Sequence, residues 1–326
     1  MNRQRSADFA RLWRYSVGFY GVWIAHIGKQ MMLFDRLATK PMSIEELVTS
    51  TKFYPAAVKA WCSAAQAYRF VTAKNGKLQM DKKMRPILIN KASPDYLGGQ
   101  FSYLALRSIK YGAFEELFRR GKVRKTTSTM NAVQEATDWD HYAFIAAARR
   151  HKKLHQMLSA GCKVLDVGCG TGSMLAKIHK MYPKSSLIGI DRSSKALAMA
   201  CQIAHGNPAI TLMKIPSESM KFANEFDIVF LGESLYMMKD KGTVLFNCWR
   251  ALRNCGTIAI MEGLVPKSNL HSPASQLIMG MQLDFALQGQ MFMNKNDVAL
   301  LLNNRFSKTR FEDLGGNVYL VTAMKK

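Results

Sequence analysis

The sequence lacks paired cysteines, long hydrophobic runs and a recognisable export signal, and each absence excludes a class of protein. The six cysteines are scattered over 326 residues. None forms a CxxC pair or a Cys/His cluster with zinc spacing, so we expect reduced thiols and no metal site. No window approaches the ~18 uninterrupted apolar residues of a membrane span. The basic N-terminus has no apolar run before a cleavage site, so a cytoplasmic protein is expected.

Acidic residues are also scarce. The 23 Asp and Glu face 46 Lys and Arg, which gives a formal net charge of +23. Residues 1–160 carry 27 of the basic residues and 11 of the acidic ones. A field of this size attracts nucleic acids, acidic substrates or anionic membrane surfaces, and it equally fits the general composition of a lysine-rich organism. Charge alone therefore leaves the partner open.

Residues 1–110 are predicted to form a mainly helical domain that contains a winged helix. Ser43 with Glu46 three residues later is a capping box, and an apolar helical face follows it. After a turn at Pro55, apolar residues recur at helical spacing, and the alternating stretch RFVTAKNGKLQM then has a two-residue hairpin turn at Asn75 and Gly76. Helix, turn, helix and hairpin in this order are typical of a winged helix.

Residues 111–160 are predicted to be a helical connection, and residues 161–326 a catalytic domain. Helices are expected around 96–106 and 111–120, an exposed basic linker over 119–132, and a further helix over 139–159. From Cys162, short apolar runs alternate with helical segments at 193–205 and 241–254. The predicted strands are Lys163–Val167, Ser186–Ile190, Ile210–Lys214, Asp227–Leu231, Thr257–Glu262 and the closing GGNVYLVTAMKK. This alternation predicts an α/β, Rossmann-like fold with a parallel, doubly wound sheet.

A glycine-rich stretch, Gly168 to Gly172, directly follows the first of these strands and opens a helix. In a doubly wound sheet this is where ligands bind, and glycines let the backbone approach them closely. The spacing is G-x-G-x-G, whereas a dinucleotide fingerprint needs a third glycine at Ser173; no Gly-Lys-Ser/Thr of a P-loop follows. Asp166, two residues before the first glycine, would repel a pyrophosphate but suits a cationic ligand.

The stretch VLDVGCGTG resembles the first signature of class I S-adenosylmethionine (SAM)-dependent methyltransferases. Asp191 ends the second strand, where an acid can accept both ribose hydroxyls. The resemblance implies SAM as the cofactor, Glu218 facing the adenine and Gly232 facing the methionine part. The cofactor-binding positions predicted in this way are Asp166, Gly168, Cys169, Gly170, Gly172, Asp191, Arg192, Glu218, Ser219 and Gly232.

From about Tyr15 to its end, the chain is similar to the dimeric small-molecule O-methyltransferases, which include plant phenolic, hydroxyindole and bacterial antibiotic or pigment enzymes. The similarity rests on the winged helix, on the helix before the glycine loop and on the stretch EFDIVFLGESLYMMKDKGTVLFNCWRALRNCGTIAIMEGLVP. It implies a homodimer formed through the N-terminal domain and a small, apolar or aromatic methyl acceptor. In that family the winged helix does not read DNA.

The predicted catalytic residues are Tyr236, Glu262 and Glu233. The family's catalytic His falls on Tyr236, whereas its supporting acid is retained as Glu262. A general base typically contributes ~10²–10⁴-fold, and only where the nucleophile must lose a proton. Tyr236 is therefore expected to orient the acceptor, with Glu262 or Glu233 as a base if burial raises its pKa.

Two further features are expected: a catalytic base supplied from another position in the chain, and an acceptor pocket with flexible apolar walls. Other histidines could replace the missing base, and methionine-rich patches lie where the family lines its acceptor pocket. These histidines are His26, His141, His155 and His271, and the methionines are Met237, Met238, Met279, Met281, Met291 and Met293.

Two alternative functions stay open at this point. A basic winged helix could belong to an RNA or DNA methyltransferase or to a nucleic-acid-binding protein. Against this, the stretch after the fourth strand is Leu-Gly-Glu-Ser, without the Pro-Pro-aromatic or Pro-Cys motifs of base methyltransferases, and the second helix of the winged helix is mostly small and apolar. The loss of the family's His also allows a catalytically inactive SAM-binding protein.

Overall fold

The computed structural model of the chain describes residues 7–109, 111, 114–120, 138–286 and 289–326. Within these ranges the chain divides into two compact units, one comprising residues up to 111 together with 138–139, and the other comprising residues 114–120 and the described residues from 140 onward. The predicted basic linker lies outside the described residues from residue 121 onward. Among the described residues, no helix combines the length and the apolar character needed to cross a membrane.

The first unit contains the elements of the predicted winged helix. Its helices are α1 Ala7–Gln30, α2 Leu33–Thr39, α3 Ile44–Thr51, α4 Pro55–Ala67, α5 Arg85–Leu88 and α6 Gly98–Ser108, and its strands are β1 Val71–Lys74 and β2 Lys77–Met80. The predicted capping box is present: the Ser43 hydroxyl accepts the Glu46 N–H, and the Glu46 carboxylate accepts the Ser43 N–H. Asn75 and Gly76, both with positive φ, turn the hairpin between β1 and β2.

The second unit alternates strands and helices. Its strands are β3 Lys163–Val167, β4 Ser186–Asp191, β5 Ile210–Lys214, β6 Phe226–Gly232, β7 Leu252–Gly263, β8 Phe306–Gly315 and β9 Val318–Lys325. The helices from residue 114 onward are α7 Phe114–Arg120, α8 Asp138–Arg150, α9 Lys152–Ala160, α10 Ser173–Met181, α11 Ser194–Ala204, α12 Lys241–Ala251, α13 Pro273–Ala286 and α14 Lys295–Asn303. The described strands of this unit form one sheet in the order β5-β4-β3-β6-β7-β9-β8.

The sheet is doubly wound but not wholly parallel. Strands β3 to β7 run parallel, whereas β9 is antiparallel to β7 and β8 is antiparallel to β9. The prediction of a parallel sheet is therefore wrong at this edge. The chain runs from β3 outward to β5 and returns to β6 on the other side of β3, so strand order reverses between β3 and β6. Ligands of such sheets bind at the carboxyl ends of these strands.

Each face of the sheet packs against helices. Leu165 and Leu231 belong to one core with α12 and α14, whereas Val164 and Phe230 belong to a second core with α8, α9 and α10. Neighbouring residues on one strand point to opposite faces, so both faces bury apolar side chains. This is why β3 and β6 appear in the sequence as continuous apolar runs, and it confirms the predicted α/β class.

Candidate functional site

The glycine loop connects β3 to α10 at the point where strand order reverses. Gly168, Gly170 and Gly172 have φ values of +79°, +55° and +72°, a region that disfavours other residues. A Cβ on Gly168 would lie 3.0 Å from the Ser234 Cβ, and one on Gly172 would lie 3.0 Å from the Ala200 Cβ. A Cβ on Gly170 would meet no atom within 4 Å. A side chain at either outer glycine would therefore press against its neighbour, while the middle glycine faces open space.

Two acids flank this loop. One carboxylate oxygen of Asp191 accepts the Gly170 N–H at 3.0 Å, and the other accepts the Ser193 N–H at 2.7 Å. Asp166 is 3% exposed at the end of β3. Burial, helped by the nearby Asp191 charge, raises the pKa of Asp166 to about 8. Carboxyl groups at the base of a glycine loop suit a ligand that carries positive charge.

Cys169 contributes backbone to the loop, whereas its thiol points into the core. Its N–H donates to the Ile190 carbonyl at 3.0 Å. A Cβ on Gly189 would lie 2.8 Å from the Cys169 sulfur. Burial, together with the neighbouring Asp166 carboxylate, holds the pKa of this thiol well above its ordinary range. The thiol is therefore inert as a nucleophile. Arg192 is exposed directly after the last residue of β4.

A single turn of 3₁₀ helix, Ser217–Ser219, follows β5 and carries Glu218 and Ser219. Asn247 of α12 is buried, and its side-chain amide donates to the carbonyls of Ser217 and Glu218 at 3.1 and 2.9 Å. The Ser217 hydroxyl also donates to the Glu218 carboxylate at 3.0 Å. Asn247 therefore fixes the turn that carries these two predicted cofactor residues. Sequence reasoning missed it, although an isolated asparagine in the apolar run VLFNCW was a usable signal.

The loop after β6, residues 233–238, is hereafter the acceptor loop. Gly232 pairs with Met261 in the sheet, and Glu233 follows with φ +48° and donates its N–H to the Met261 carbonyl at 2.7 Å. Glu262, near the end of β7, is completely buried. One of its carboxylate oxygens accepts two successive N–H groups of this loop, from Ser234 at 3.0 Å and from Leu235 at 2.6 Å. Glu262 thus binds the backbone of the segment that carries Tyr236.

Tyr236 lies in an aromatic cluster. Its ring centroid is 4.7 Å from that of Phe285 and 5.2 Å from that of Phe292, and these two phenylalanines are 4.6 Å apart. All three rings are at most 8% exposed, and Ile278 completes the buried cluster. The structure therefore places Tyr236 in an apolar wall beside the end of β6. The predicted catalytic roles of Tyr236, Glu262 and Glu233 remain predictions.

The predicted pocket methionines do not share one location. Met281 packs against the aromatic cluster, whereas Met238 and Met293 belong to the core that the sheet forms with α12 and α14. The remaining three are exposed: Met237, Met279 and Met291.

Three of the four histidines considered as displaced bases have contacts in the structure. His26 contacts Ser102 in the first unit, and His155 contacts the Tyr182 hydroxyl. His141 lies 3.5 Å from the Lys177 ammonium, and burial together with that charge lowers its pKa to about 3. A base is most effective when its pKa is near the working pH, so His141 is a poor general base. His271 is exposed.

A basic groove of about 660 Å³ lies elsewhere in the second unit, between the α8–α9 junction and strands β8 and β9. Its lining includes Arg150, Lys152, Lys153 and Arg310, and Arg150 forms an ion pair with Glu312 at 2.6 Å. None of the predicted site residues lines it. Among the described residues, no group of three or more His, Cys, Asp or Glu side chains is arranged to hold a metal ion.

The chain was compared with known protein families, and the site lies in a segment that matches one of them. Residues 158–297 match the family model of a methyltransferase domain. The chain is 26% identical over 111 residues to trans-aconitate 2-methyltransferase of Deinococcus radiodurans, and 31% identical over 117 residues to the ubiquinone/menaquinone biosynthesis C-methyltransferase of Geobacter sulfurreducens. Each match covers 34% of this chain. The chain thus spans less than half of these relatives, 40% and 46% of their respective lengths.

A likeness in structure extends over the whole chain. The crystal structure of human N-acetylserotonin methyltransferase in complex with SAM superposes with a TM-score of 0.81 at 16% identity, and the match covers 100% of this chain and 99% of that one. At this identity the likeness concerns the fold. Together with the family match, it confirms the predicted resemblance to SAM-dependent methyltransferases and the predicted Rossmann-like α/β fold preceded by a helical region.

Proposed function

We propose that this chain, whose second unit carries a class I SAM-dependent methyltransferase domain, transfers a methyl group from SAM to a small apolar or aromatic molecule. The observation that carries the proposal is the glycine loop, whose middle glycine faces open space and donates its N–H to Asp191. The fit to SAM is chemical as well as steric. Its sulfonium and ammonium groups are cations that suit Asp166, and its ribose offers two hydroxyls to Asp191. The SAM-bound human neighbour supports this assignment.

When bound, SAM supplies a methyl group that its sulfonium already activates. The protein then has to align acceptor and methyl group and to exclude water, and such alignment can lower a barrier by ~7–11 kcal/mol. In this proposal Asp191 binds the ribose, the turn at Glu218 and Ser219 contacts the adenine, and Gly232 and the glycine loop border the methionine part. Arg192 lies beside the ribose position.

The acceptor side favours an apolar, flat molecule. Tyr236, Phe285 and Phe292 form a buried aromatic cluster beside the end of β6, and flat aromatic groups pack against such rings by edge and face contacts. We propose O-methylation by analogy with the solved mitomycin 7-O-methyltransferase, to which this fold is similar with a TM-score of 0.71 at 14% identity. Glu262 is engaged by backbone amides, so we assign orientation of the acceptor to Tyr236 and leave Glu233 as the candidate base.

The Tyr236→Phe variant tests that assignment. Phenylalanine keeps the ring in the aromatic cluster, so the melting temperature and SAM affinity should stay unchanged. Loss of the hydroxyl should lower kcat by about tenfold, since an orienting group contributes less than the ~10²-fold of a general base. Turnover is measured as release of S-adenosylhomocysteine over a panel of phenols, catechols and hydroxyindoles. An unchanged kcat would remove the Tyr236 hydroxyl from the mechanism.

The Gly170→Ala variant tests the cofactor site itself. A methyl group at Gly170 meets no protein atom but enters the space assigned to SAM, so SAM affinity should fall by at least about tenfold. Gly76→Ala is the matched control, because Gly76 also has positive φ and open surroundings but lies in the hairpin between β1 and β2. Both variants should lose about 1 kcal/mol of stability from the strained alanine. Equal SAM affinity of the two, by calorimetry, would contradict the proposal.

A homodimer formed through the first unit remains part of the proposal, as does a cytoplasmic location. Helix α1 exposes an unusual number of large apolar side chains, which supports burial against a second copy. Those at least 40% exposed are Phe9, Leu12, Trp13, Tyr15, Val17, Phe19 and Tyr20.

The nucleic-acid alternative is weakened because α4, the helix that would read DNA in a winged helix, buries Val58, Trp61, Cys62 and Ala65.

A further inference from the structure

Ser234 joins the acceptor loop to the glycine loop. It is 2% exposed, and its hydroxyl donates to the carbonyl of Val167, the last residue of β3, at 2.9 Å. Its Cβ lies 3.0 Å from the position of a Cβ on Gly168, the first residue of the glycine loop. One small side chain therefore contacts both the strand end and the glycine loop.

The backbone of Ser234 is in turn held by Glu262. One oxygen of this carboxyl group accepts two successive N–H groups of the acceptor loop, those of Ser234 and Leu235. The other oxygen of Glu262 is buried with no hydrogen-bond partner among the described residues. Burial raises the pKa of this carboxyl group to about 8. Burial of a carboxyl group costs free energy. At Glu262 the hydrogen bonds that offset this cost are those from the acceptor loop.

The glycine loop is fixed on its other side to β4. The N–H groups of Gly168 and Cys169 donate to the Ile190 carbonyl at 2.8 and 3.0 Å, and the Gly170 N–H donates to Asp191. A continuous chain of contacts thus leads from Glu262 through Ser234 and the glycine loop to the acid assigned to the ribose.

We propose that Ser234 and Glu262 are positioning residues that couple the acceptor loop to the cofactor loop. The coupling rests on the proposed binding of SAM at the glycine loop. Cofactor in the glycine loop stabilises the arrangement of Val167 and Gly168 that Ser234 contacts, and thereby the arrangement of the segment that carries Tyr236. Coupling between two sites is reciprocal, so loosening the acceptor loop must weaken SAM binding.

The Ser234→Ala variant measures this coupling without an acceptor. It removes the hydroxyl that reaches Val167 while it keeps the Cβ against Gly168, and the dissociation constant of SAM should rise about tenfold. Ser185→Ala is the matched control: Ser185 is 1% exposed, and its hydroxyl also donates to a backbone carbonyl, that of Leu158 at 3.0 Å, away from both loops. Both variants should lower the melting temperature by similar amounts, but only Ser234→Ala should change SAM affinity.

Variants of Glu262 separate the hydrogen bonds from the charge. Glu262→Gln keeps an oxygen for the two loop N–H groups and should bind SAM nearly as the unaltered protein does. Glu262→Leu lacks an acceptor and should match Ser234→Ala. If Glu262→Leu does not fold, the two serine variants decide the question.

The outcomes distinguish this coupling from the proposed function. If the unaltered chain binds SAM and the two serine variants bind it equally well, the coupling is wrong while the proposed function stands. If the unaltered chain does not bind SAM, both fail. Calorimetric titration with SAM alone is the measurement in every case.

Discussion

Replacing Asp191 by alanine should weaken SAM binding by about 100-fold or more. In the proposed complex its carboxylate accepts the ribose hydroxyls, and hydrogen bonds to a charged group are worth ~1.5–3 kcal/mol each. Loss of two such bonds corresponds to at least about two orders of magnitude in affinity. The same substitution leaves the N–H groups of Gly170 and Ser193 without their acceptor, so the loop itself loses support. Isothermal titration calorimetry measures the affinity directly.

A second substitution separates ligand contact from loop support. In Asp191→Asn the side-chain oxygen can still accept the Ser193 N–H, so most stability should remain, but its amide group cannot accept from a hydroxyl. We therefore expect the Asp191→Asn variant to bind SAM almost as weakly as Asp191→Ala does. Its melting temperature should nevertheless be closer to that of the unaltered protein. Asp313→Ala is the control, because Asp313 also accepts two hydrogen bonds, from Gly315 and Tyr319, in the β8–β9 hairpin. Unchanged SAM affinity in Asp191→Ala would overturn the assignment of this residue.

The elements that the sequence predicted well are those with local causes. The capping box at Ser43, the Asn75-Gly76 turn and the apolar runs of β3 to β7 all depend on residues a few positions apart. Strand β8 was missed because its outer edge is solvated: its burial alternates, and its sequence FSKTRFEDLG mixes charged with apolar residues. The direction of β9 relative to β8 follows from the tight hairpin at Gly316 and Asn317, which both have positive φ. A two-residue turn can only join antiparallel neighbours.

In the candidate site, too, some residues could be predicted from the sequence and others could not. The glycine loop and Asp191 could be predicted because their positions relative to β3 and β4 are fixed by the fold, and strand order brings them together. Ser234 could not be predicted, since its hydroxyl acts on a carbonyl 67 residues earlier and its amide on a carboxylate 28 residues later. Glu262 was predicted as an acid near the acceptor, but nothing in the residues around it indicates that its hydrogen bonds go to backbone amides.

Asp166 should make SAM binding depend on pH. In the cofactor-free protein its pKa is raised to about 8 by burial and by the Asp191 carboxylate, so Asp166 is mainly protonated at pH 7. A cationic ligand nearby favours the ionised form and lowers this pKa, so binding releases a proton. Affinity should therefore increase from pH 6 to 8, by at most about tenfold per pH unit, and level off above 8.

The sign for stability is opposite. A carboxyl group whose pKa is raised in the folded state contributes stability at low pH that is lost as pH rises through that value. The cofactor-free protein should therefore melt at progressively lower temperature as pH rises toward 8, with no further decline from this group above that value, and Asp166→Asn should reduce the decline. Glu262, with its own raised pKa, contributes in the same direction, so Glu262→Gln is measured alongside.

The substitution that isolates the effect on binding is Asp166→Asn. It should bind SAM more weakly than the unaltered protein at pH 8, with an affinity that no longer changes between pH 6 and 8, whereas Glu262→Gln should retain the slope. Calorimetry in buffers of different ionisation enthalpy counts the protons released, and we expect close to one at pH 7 for the unaltered chain and for Glu262→Gln. A slope that persists in Asp166→Asn would show that Asp166 is not the group that releases the proton.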